Sequence, residues 1–269
     1  MTYGIQYASD LHLDYLAPNI EFRTLIVPAA PILVLAGDIA SVWNKVYSKF
    51  IYWCSSNWQH VIVVAGNHEY FCNNPKNPYS RQETERRLHM ICQILPNVHY
   101  LQAGQTYTIP NTKIVFIGAT LYSDINPEIH DEVLNKGDFA KTFIERNNIL
   151  CRTHPTDHVN AHKRHRQALS DAIRAVPRNH KVVVVTHYLP TEKLLEPEYR
   201  DDRWRSCYAS KDDDLFRLPV SVWICGHGHR SAYIHAKHNI LVAMNARGYK
   251  QYELNRTVDV YQPTAGFIL

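Results

Sequence analysis

Val61-Ile62-Val63-Val64-Ala65-Gly66-Asn67-His68-Glu69 is a run of apolar, mostly β-branched residues that breaks at a glycine and ends in an amide, an imidazole and a carboxylate. A short apolar run bounded by a turn residue predicts a buried strand. Polar donors directly after it fall at the carboxyl edge of a sheet, where α/β proteins place their ligands and chemistry. Four other stretches share this form. Residues 3–9 lead into Asp10 and His12, 32–36 into Gly37-Asp38, 182–186 into His187, and 220–225 into Gly226-His227-Gly228-His229. Packing alone does not account for five such runs.

Between these strands the pattern predicts helices over about 42–55, 81–95 and 161–176. Short strands are expected at 98–103, 106–109, 114–119, 231–235 and 239–244, with Pro110-Asn111 as a turn. Residues 123–160 read as a polar, irregular, cap-like insertion near the site, and 189–218 as a long polar loop. Strands alternate with helices early and follow one another later. The expected fold is therefore α/β, a four-layer α/β/β/α sandwich with two mixed β-sheets, built as a single domain over 1–269.

The chain has 269 residues, 45% hydrophobic and 20% charged, which is a globular composition and excludes a disordered one. It holds no apolar stretch long enough to predict a membrane span. Residues 1–5 lack the basic and apolar regions of a signal peptide. Six scattered cysteines without a C-x-x-C pair predict reduced thiols and a cytoplasmic location. A net charge of +4 is too mild to mark a nucleic-acid binder.

The strand-end residues form a coherent donor set. Asp10 and His12 are two apart, which in a continued strand directs both to one side. Asp38 offers a carboxylate able to bridge two cations, Asn67 an amide oxygen, and His187, His227 and His229 neutral imidazoles. Mixed oxygen and nitrogen donors suit Mn, Fe or Zn better than Ca, and the lack of cysteine donors argues against a closed structural zinc site. Two such ions clamp the attacking and leaving oxygens of an in-line phosphoryl displacement and supply hydroxide near neutral pH. His68, beside Asn67, is then placed to give a proton to the leaving oxygen.

Other residues carry weaker expectations. Glu69 reads as structural, and Tyr70 and Phe71 as packing at the site rim. His154, His158, His162 and His165 read as a solvated helix face, with a phosphate-holding basic wall as the alternative. Arg200, Arg203 and Arg205 read as surface charge. Tyr188, Arg247 and Tyr249 are candidate substrate contacts.

The blocks Asp10-Leu11-His12, Gly37-Asp38, Gly66-Asn67-His68-Glu69, His187 and Gly226-His227-Gly228-His229 stand in the order of the calcineurin-like metallophosphoesterase family, which this chain resembles over residues 10–229. The resemblance implies that Asp10, His12, Asp38 and His229 hold one metal. It implies that Asp38, Asn67, His187 and His227 hold the other, with His68 acting on the substrate. Gly118-Ala119-Thr120-Leu121-Tyr122-Ser123-Asp124, Thr186-His187-Tyr188-Leu189-Pro190 and Asn245-Ala246-Arg247-Gly248-Tyr249 resemble a group of small members of that family. Tyr188 stands where those members tend to carry a second histidine, and Gly228 where threonine is common.

The expected function is metal-dependent hydrolysis of a phosphoester through a dinuclear centre and a bridging hydroxide, foremost of a phosphodiester in a small or nucleotide substrate. A nuclease using basic clusters at 81, 86 and 87 or 163, 164 and 166 is a second reading, and a phosphomonoesterase or protein phosphatase a third. A non-catalytic scaffold ranks last, because no donor is missing. No membrane partner is expected, and the oligomeric state is not legible.

Overall fold

In the computed structural model, which describes residues 3–74, 76–249 and 259–269, the apolar runs become two facing sheets. The first half supplies β1 (Gly4–Ala8), β2 (Ile32–Ala36), α1 (Lys45–Asn57), β3 (His60–Val64), α2 (Arg81–Gln93) and β4 (Val98–Tyr100). The second supplies β5 (Gln105–Thr108), β6 (Ile114–Ala119), α3 (His130–Val133), α4 (Gly137–Ala140), the hairpin β7 (Phe143–Arg146) and β8 (Ile149–Arg152), and α5 (Pro155–Ala175). It continues with β9 (Lys181–Thr186), α6 (Pro197–Arg200), β10 (Val220–Cys225), β11 (Ser231–His235), β12 (Leu241–Asn245) and β13 (Gly266–Ile268). One sheet has the order β13-β1-β2-β3-β4 and the other β11-β12-β10-β9-β6-β5. The central strands are parallel, while β13, β11 and β5 run antiparallel at the edges, so both sheets are mixed as expected.

Strand periodicity sorts the side chains into layers. In β2, Val34 and Ala36 face the second sheet while Leu33 and Leu35 pack under α1 and α2. In β9, Val183 and Val185 face the first sheet while Val182 and Val184 lie in the core beneath α5. Apolar residues on both faces explain why these strands read as continuous runs rather than alternating ones. The aligned carboxyl ends of β1, β2, β3, β9 and β10 place every predicted donor at one edge.

Three expectations need correction. Residues 123–160 are not irregular: Ile125, Ile129, Val133 and Phe139 build a small core of their own, which supports α3, α4 and the β7–β8 hairpin. The helix expected from 161 begins at Pro155. Its start is fixed by proline in the first turn and by a reciprocal cap, in which His154 Nδ1 accepts from Thr156 N at 3.3 Å and Asp157 Oδ2 from His154 N at 2.7 Å.

The third concerns the histidines. His158, His162 and His165 are buried, not solvated. They serve the turn after β6, where Leu121 and Tyr122 have positive φ and the backbone leaves its ladder. His165 Nδ1 accepts from Leu121 N at 3.3 Å, and His158 Nε2 from Ser123 N at 3.1 Å. An accepting nitrogen carries no proton, so these imidazoles work as neutral groups. Burial and the nearby Arg81 charge lower His165 to about 3. A histidine depressed in the fold leaves the unfolded chain with more protons below its ordinary pKa, so stability is fully present above that value and falls as the solution is acidified. His165 alone should remove about 2 kcal/mol between pH 7.5 and pH 5. Urea unfolding at the two pH values tests this: His165→Gln should lose less stability on acidification than the wild type.

Candidate metal centre

The loops after β1 and β2 are bonded to each other along their backbones, Asp10 N donating to Gly37 O at 3.0 Å and His12 N to Asp38 O at 3.1 Å. Gly37, at φ 85°, turns the chain sharply, and a Cβ there would lie 2.6 Å from Gly66 N. A Cβ on Gly66 would lie 2.7 Å from Asp38 N and 2.8 Å from His187 Cε1. Only glycine lets the loops after β2, β3 and β9 meet this closely. Glu69 then ties them together: Oε2 accepts from Asp38 N (2.9 Å) and Gly66 N (2.6 Å), and Oε1 from Ile39 N (2.7 Å). The expected structural role is here a specific one.

Asp10 and His12 do converge, but not by strand alternation. β1 ends at Ala8, and both residues sit in the left-handed region, with φ of 53° and 47°. Asp38, His227 and His229 share that conformation, at 56°, 66° and 49°. Residues held in sparsely populated backbone regions store strain and cluster at functional sites.

The side chains form two groups with one member in common. Asp10, His12, Asp38 and His229 each offer a donor atom, all within 4.8 Å of one another, and so do Asp38, His187 and His227. His12 Nε2 faces His229 Nε2 at 3.2 Å, and His187 Nε2 faces His227 Nδ1 at 3.2 Å. Asn67 Oδ1 lies 2.9 Å from His187 Nε2, completing the second group. Opposed imidazole nitrogens beside carboxylate oxygens suit a cation held between them, so the donor set fits two metal ions.

Electrostatics favours the same use at His12, His227 and Asp10, whereas at His187 it favours a proton that a cation would have to displace. Burial outweighs the Asp38 carboxylate at His12 and, together with the His187 charge, at His227; both fall to about 3, which leaves their lone pairs free near neutral pH. Burial opposes ionisation of Asp10, yet the hydrogen bond from His229 and the His187 charge bring it down to about 2. At His187 burial is overcome by the Asp38 and Asp10 carboxylates, which raise it to about 9. His187 Nδ1 donates to Ala36 O at 2.9 Å, which aims Nε2 at the centre.

The centre forms the floor of a cavity of about 630 Å³. Both long segments build its walls, Val133, Lys136 and Asp138 coming from one, and Leu195, Trp204 and Tyr208 from the other. The walls are clasped by Arg203 on Glu132 at 2.6 Å and by Lys136 Nζ over the Trp204 ring at 4.0 Å. Arg200 caps carbonyls of Leu195 and Lys193, and Arg205 pairs with Glu192 at 3.4 Å, so these arginines brace the wall.

His68, 7% exposed, lines the cavity with Nε2 3.9 Å from Asp38 Oδ2 and 2.7 Å from the Tyr249 hydroxyl. The Tyr249 ring stacks on His12 at 4.3 Å. Phe71 reaches the rim as expected, its ring 4.2 Å from that of His68, whereas Tyr70 points into the core under α1 and α2. Tyr188 does not take the position expected of a substrate contact. Tyr188 is fully buried behind His227, ring to ring at 4.2 Å, because its hydroxyl is drawn inward to Asp138 Oδ2 at 2.8 Å. Arg247 Nη1 donates to the Leu11 carbonyl at 3.4 Å.

Sequence reasoning missed Asp138. It sits in the segment read as irregular, 71 residues from its partner Asn67, and no local pattern marks it.

The sequence model of the calcineurin-like phosphoesterases matches residues 7–231. An uncharacterised protein of Acanthamoeba polyphaga mimivirus is 25% identical across 93% of each chain. Among solved structures, phosphopantetheinyl hydrolase from Mycobacterium tuberculosis has a TM-score of 0.69 at 19% identity, covering 98% of this chain and 95% of that one. A protein of Thermus thermophilus has a TM-score of 0.51 at 13% identity, covering 91% and 90%.

Proposed function

This chain belongs to the calcineurin-like phosphoesterase family, and on that premise we propose that it is a dinuclear metal-dependent phosphodiesterase acting on a small organic phosphodiester. The observation that carries the reading is the pair of donor groups sharing Asp38 at the floor of a walled cavity. In this reading Asp10, His12, Asp38 and His229 hold one ion, and Asp38, Asn67, His187 and His227 the other. The ions, of the Mn, Fe or Zn type, supply Lewis acidity to phosphoryl oxygens and make water acidic enough to deprotonate near neutral pH.

The chain's own groups do the rest. His68 Nε2, within hydrogen-bond reach of Tyr249, faces the cavity and serves the leaving oxygen as proton donor. His227 N donates to both Asp10 oxygens, at 3.2 and 3.0 Å, and keeps that carboxylate turned inward. Phe71, Trp204, Tyr208 and Leu195 give the cavity apolar walls that exclude water and suit the organic part of an ester. The volume falls in the range of small-molecule sites, which supports a diester of a small alcohol over a protein substrate.

The basic clusters that the nuclease reading invokes, at 81, 86 and 87 and at 163, 164 and 166, are not among the residues that line the cavity. Arg81 lies over the Tyr122 ring at 4.5 Å, Arg87 over Trp43 at 4.7 Å, and Arg166 pairs with Asp212 and Asp214.

Manganese-loaded protein should hydrolyse bis(p-nitrophenyl) phosphate faster than p-nitrophenyl phosphate. Turnover of the monoester alone would replace this proposal with a phosphatase. Turnover of neither, with metal bound, would overturn the proposal.

A further inference from the structure

We propose that Asp138 on α4 is a positioning residue that fixes the Asn67 amide with its oxygen toward the metal centre; this rests on the dinuclear reading above. Asp138 Oδ1 accepts from Asn67 Nδ2 at 2.8 Å, and its Oδ2 accepts from the buried Tyr188 hydroxyl at 2.8 Å. Each Asp138 oxygen faces a donor, so the carboxyl serves as acceptor on both sides and the amide turns its NH₂ toward it. The Asn67 oxygen is thereby committed to the other end, 2.9 Å from His187 Nε2. A side-chain amide is nearly isosteric with its flipped form, and only hydrogen-bond partners choose between them. The flipped form would present NH₂ to the cation and remove one donor from the group of Asp38, His187 and His227.

The surrounding structure holds Asp138 to this task. A Cβ on Gly137 would lie 2.9 Å from the Phe71 ring, so a glycine lets α4 press against the loop that follows Asn67. Beyond α4, Lys141 O accepts from Cys72 N at 2.7 Å, and Thr142 Oγ1 donates to the Asp138 carbonyl. Tyr188 stands behind the carboxylate and fixes its second oxygen. The segment that walls the cavity thus also reaches the metal donors.

The test is a manganese titration of metal-free full-length protein, wild type against Asp138→Asn and Tyr188→Phe, with urea unfolding as a fold control. Asparagine can present its own NH₂ to Asn67 and so permits the flip. Asp138→Asn should weaken one of the two manganese sites about 10–100-fold and leave the other unchanged. Its kcat should fall with KM near wild type, and excess manganese should restore kcat. Tyr188→Phe should weaken the same site by a smaller factor, and it keeps the test open if Asp138→Asn does not fold. Two sites of wild-type affinity in both variants would overturn the proposal. So would a change in KM alone, which would make Asp138 a substrate contact. A wild type that binds two manganese ions but hydrolyses no ester would sink the phosphodiesterase reading while the titration still decides Asp138. A wild type that binds none would overturn both.

Discussion

Asp38→Asn should lower kcat for bis(p-nitrophenyl) phosphate at least about a thousandfold, equivalent to about 4 kcal/mol of transition-state stabilisation. Asp38 is the one residue common to both donor groups, and its Oδ1 also accepts from His68 N at 2.8 Å. Asparagine keeps the shape and tolerates the same backbone. In the dinuclear reading it removes the negative charge that two cations would share, and with it the attraction that would hold them close. The fold should survive, because the side chain is replaced by a near-isostere. Metal content and turnover measured on the same sample check the prediction: two ions retained at wild-type affinity, with turnover reduced less than tenfold, would remove Asp38 from its bridging role.

Glu69→Gln should destabilise the protein by about 3–5 kcal/mol, although Glu69 holds no cation in this reading. Its carboxylate accepts three backbone N–H groups from the loops after β2 and β3. Hydrogen bonds to a charged group contribute about 1.5–3 kcal/mol each, and an N–H left facing an amide NH₂ costs about 1–3 kcal/mol more. Glutamine offers a single acceptor oxygen, so at least one of the three donors is stranded. Burial and the Asp38 charge push the Glu69 carboxyl up to about 8, while the His187 charge and the N–H donors pull it back toward the ionised, accepting form. Urea unfolding at pH 7 reads the difference. A loss below about 1 kcal/mol would mean that Glu69 is already protonated in the fold.

The clustering of the candidate donors was legible because each block follows a continuous apolar run, and a parallel sheet aligns the ends of such runs at one edge. Five blocks far apart in sequence could therefore be placed together before any contact was known. The route taken by Asp10 and His12 was not legible, since alternation describes a strand and both lie beyond its end. The buried histidines of α5 carried a signal that went unread. His158, His162 and His165 recur at the spacing of one helix face, but positions 163, 164 and 166 are basic and suggested solvent. What decided their burial was the demand of a distant turn for hydrogen-bond acceptors and donors. Asp138 and Tyr188 have the same cause: each is defined by a partner at long sequence range, so neither leaves a local pattern. Tyr188 directly follows the candidate donor His187, and adjacency suggested a place over the site; the hydrogen bond to Asp138 sets it behind His227 instead.

The left-handed residues at the sheet edge bear on which side chains that edge can hold at all. Asparagine, aspartate and histidine are the non-glycine types most tolerant of positive φ. They are also short or rigid donors with few torsions to fix. Glutamate and glutamine have similar donor atoms but not the same tolerance. At Asp10, His12, Asp38, His227 and His229 the alphabet of residues is therefore restricted twice, once by coordination and once by the path of the main chain. A donor swap designed on coordination chemistry alone, such as a carboxylate lengthened by one methylene, would meet the second restriction even where it satisfied the first.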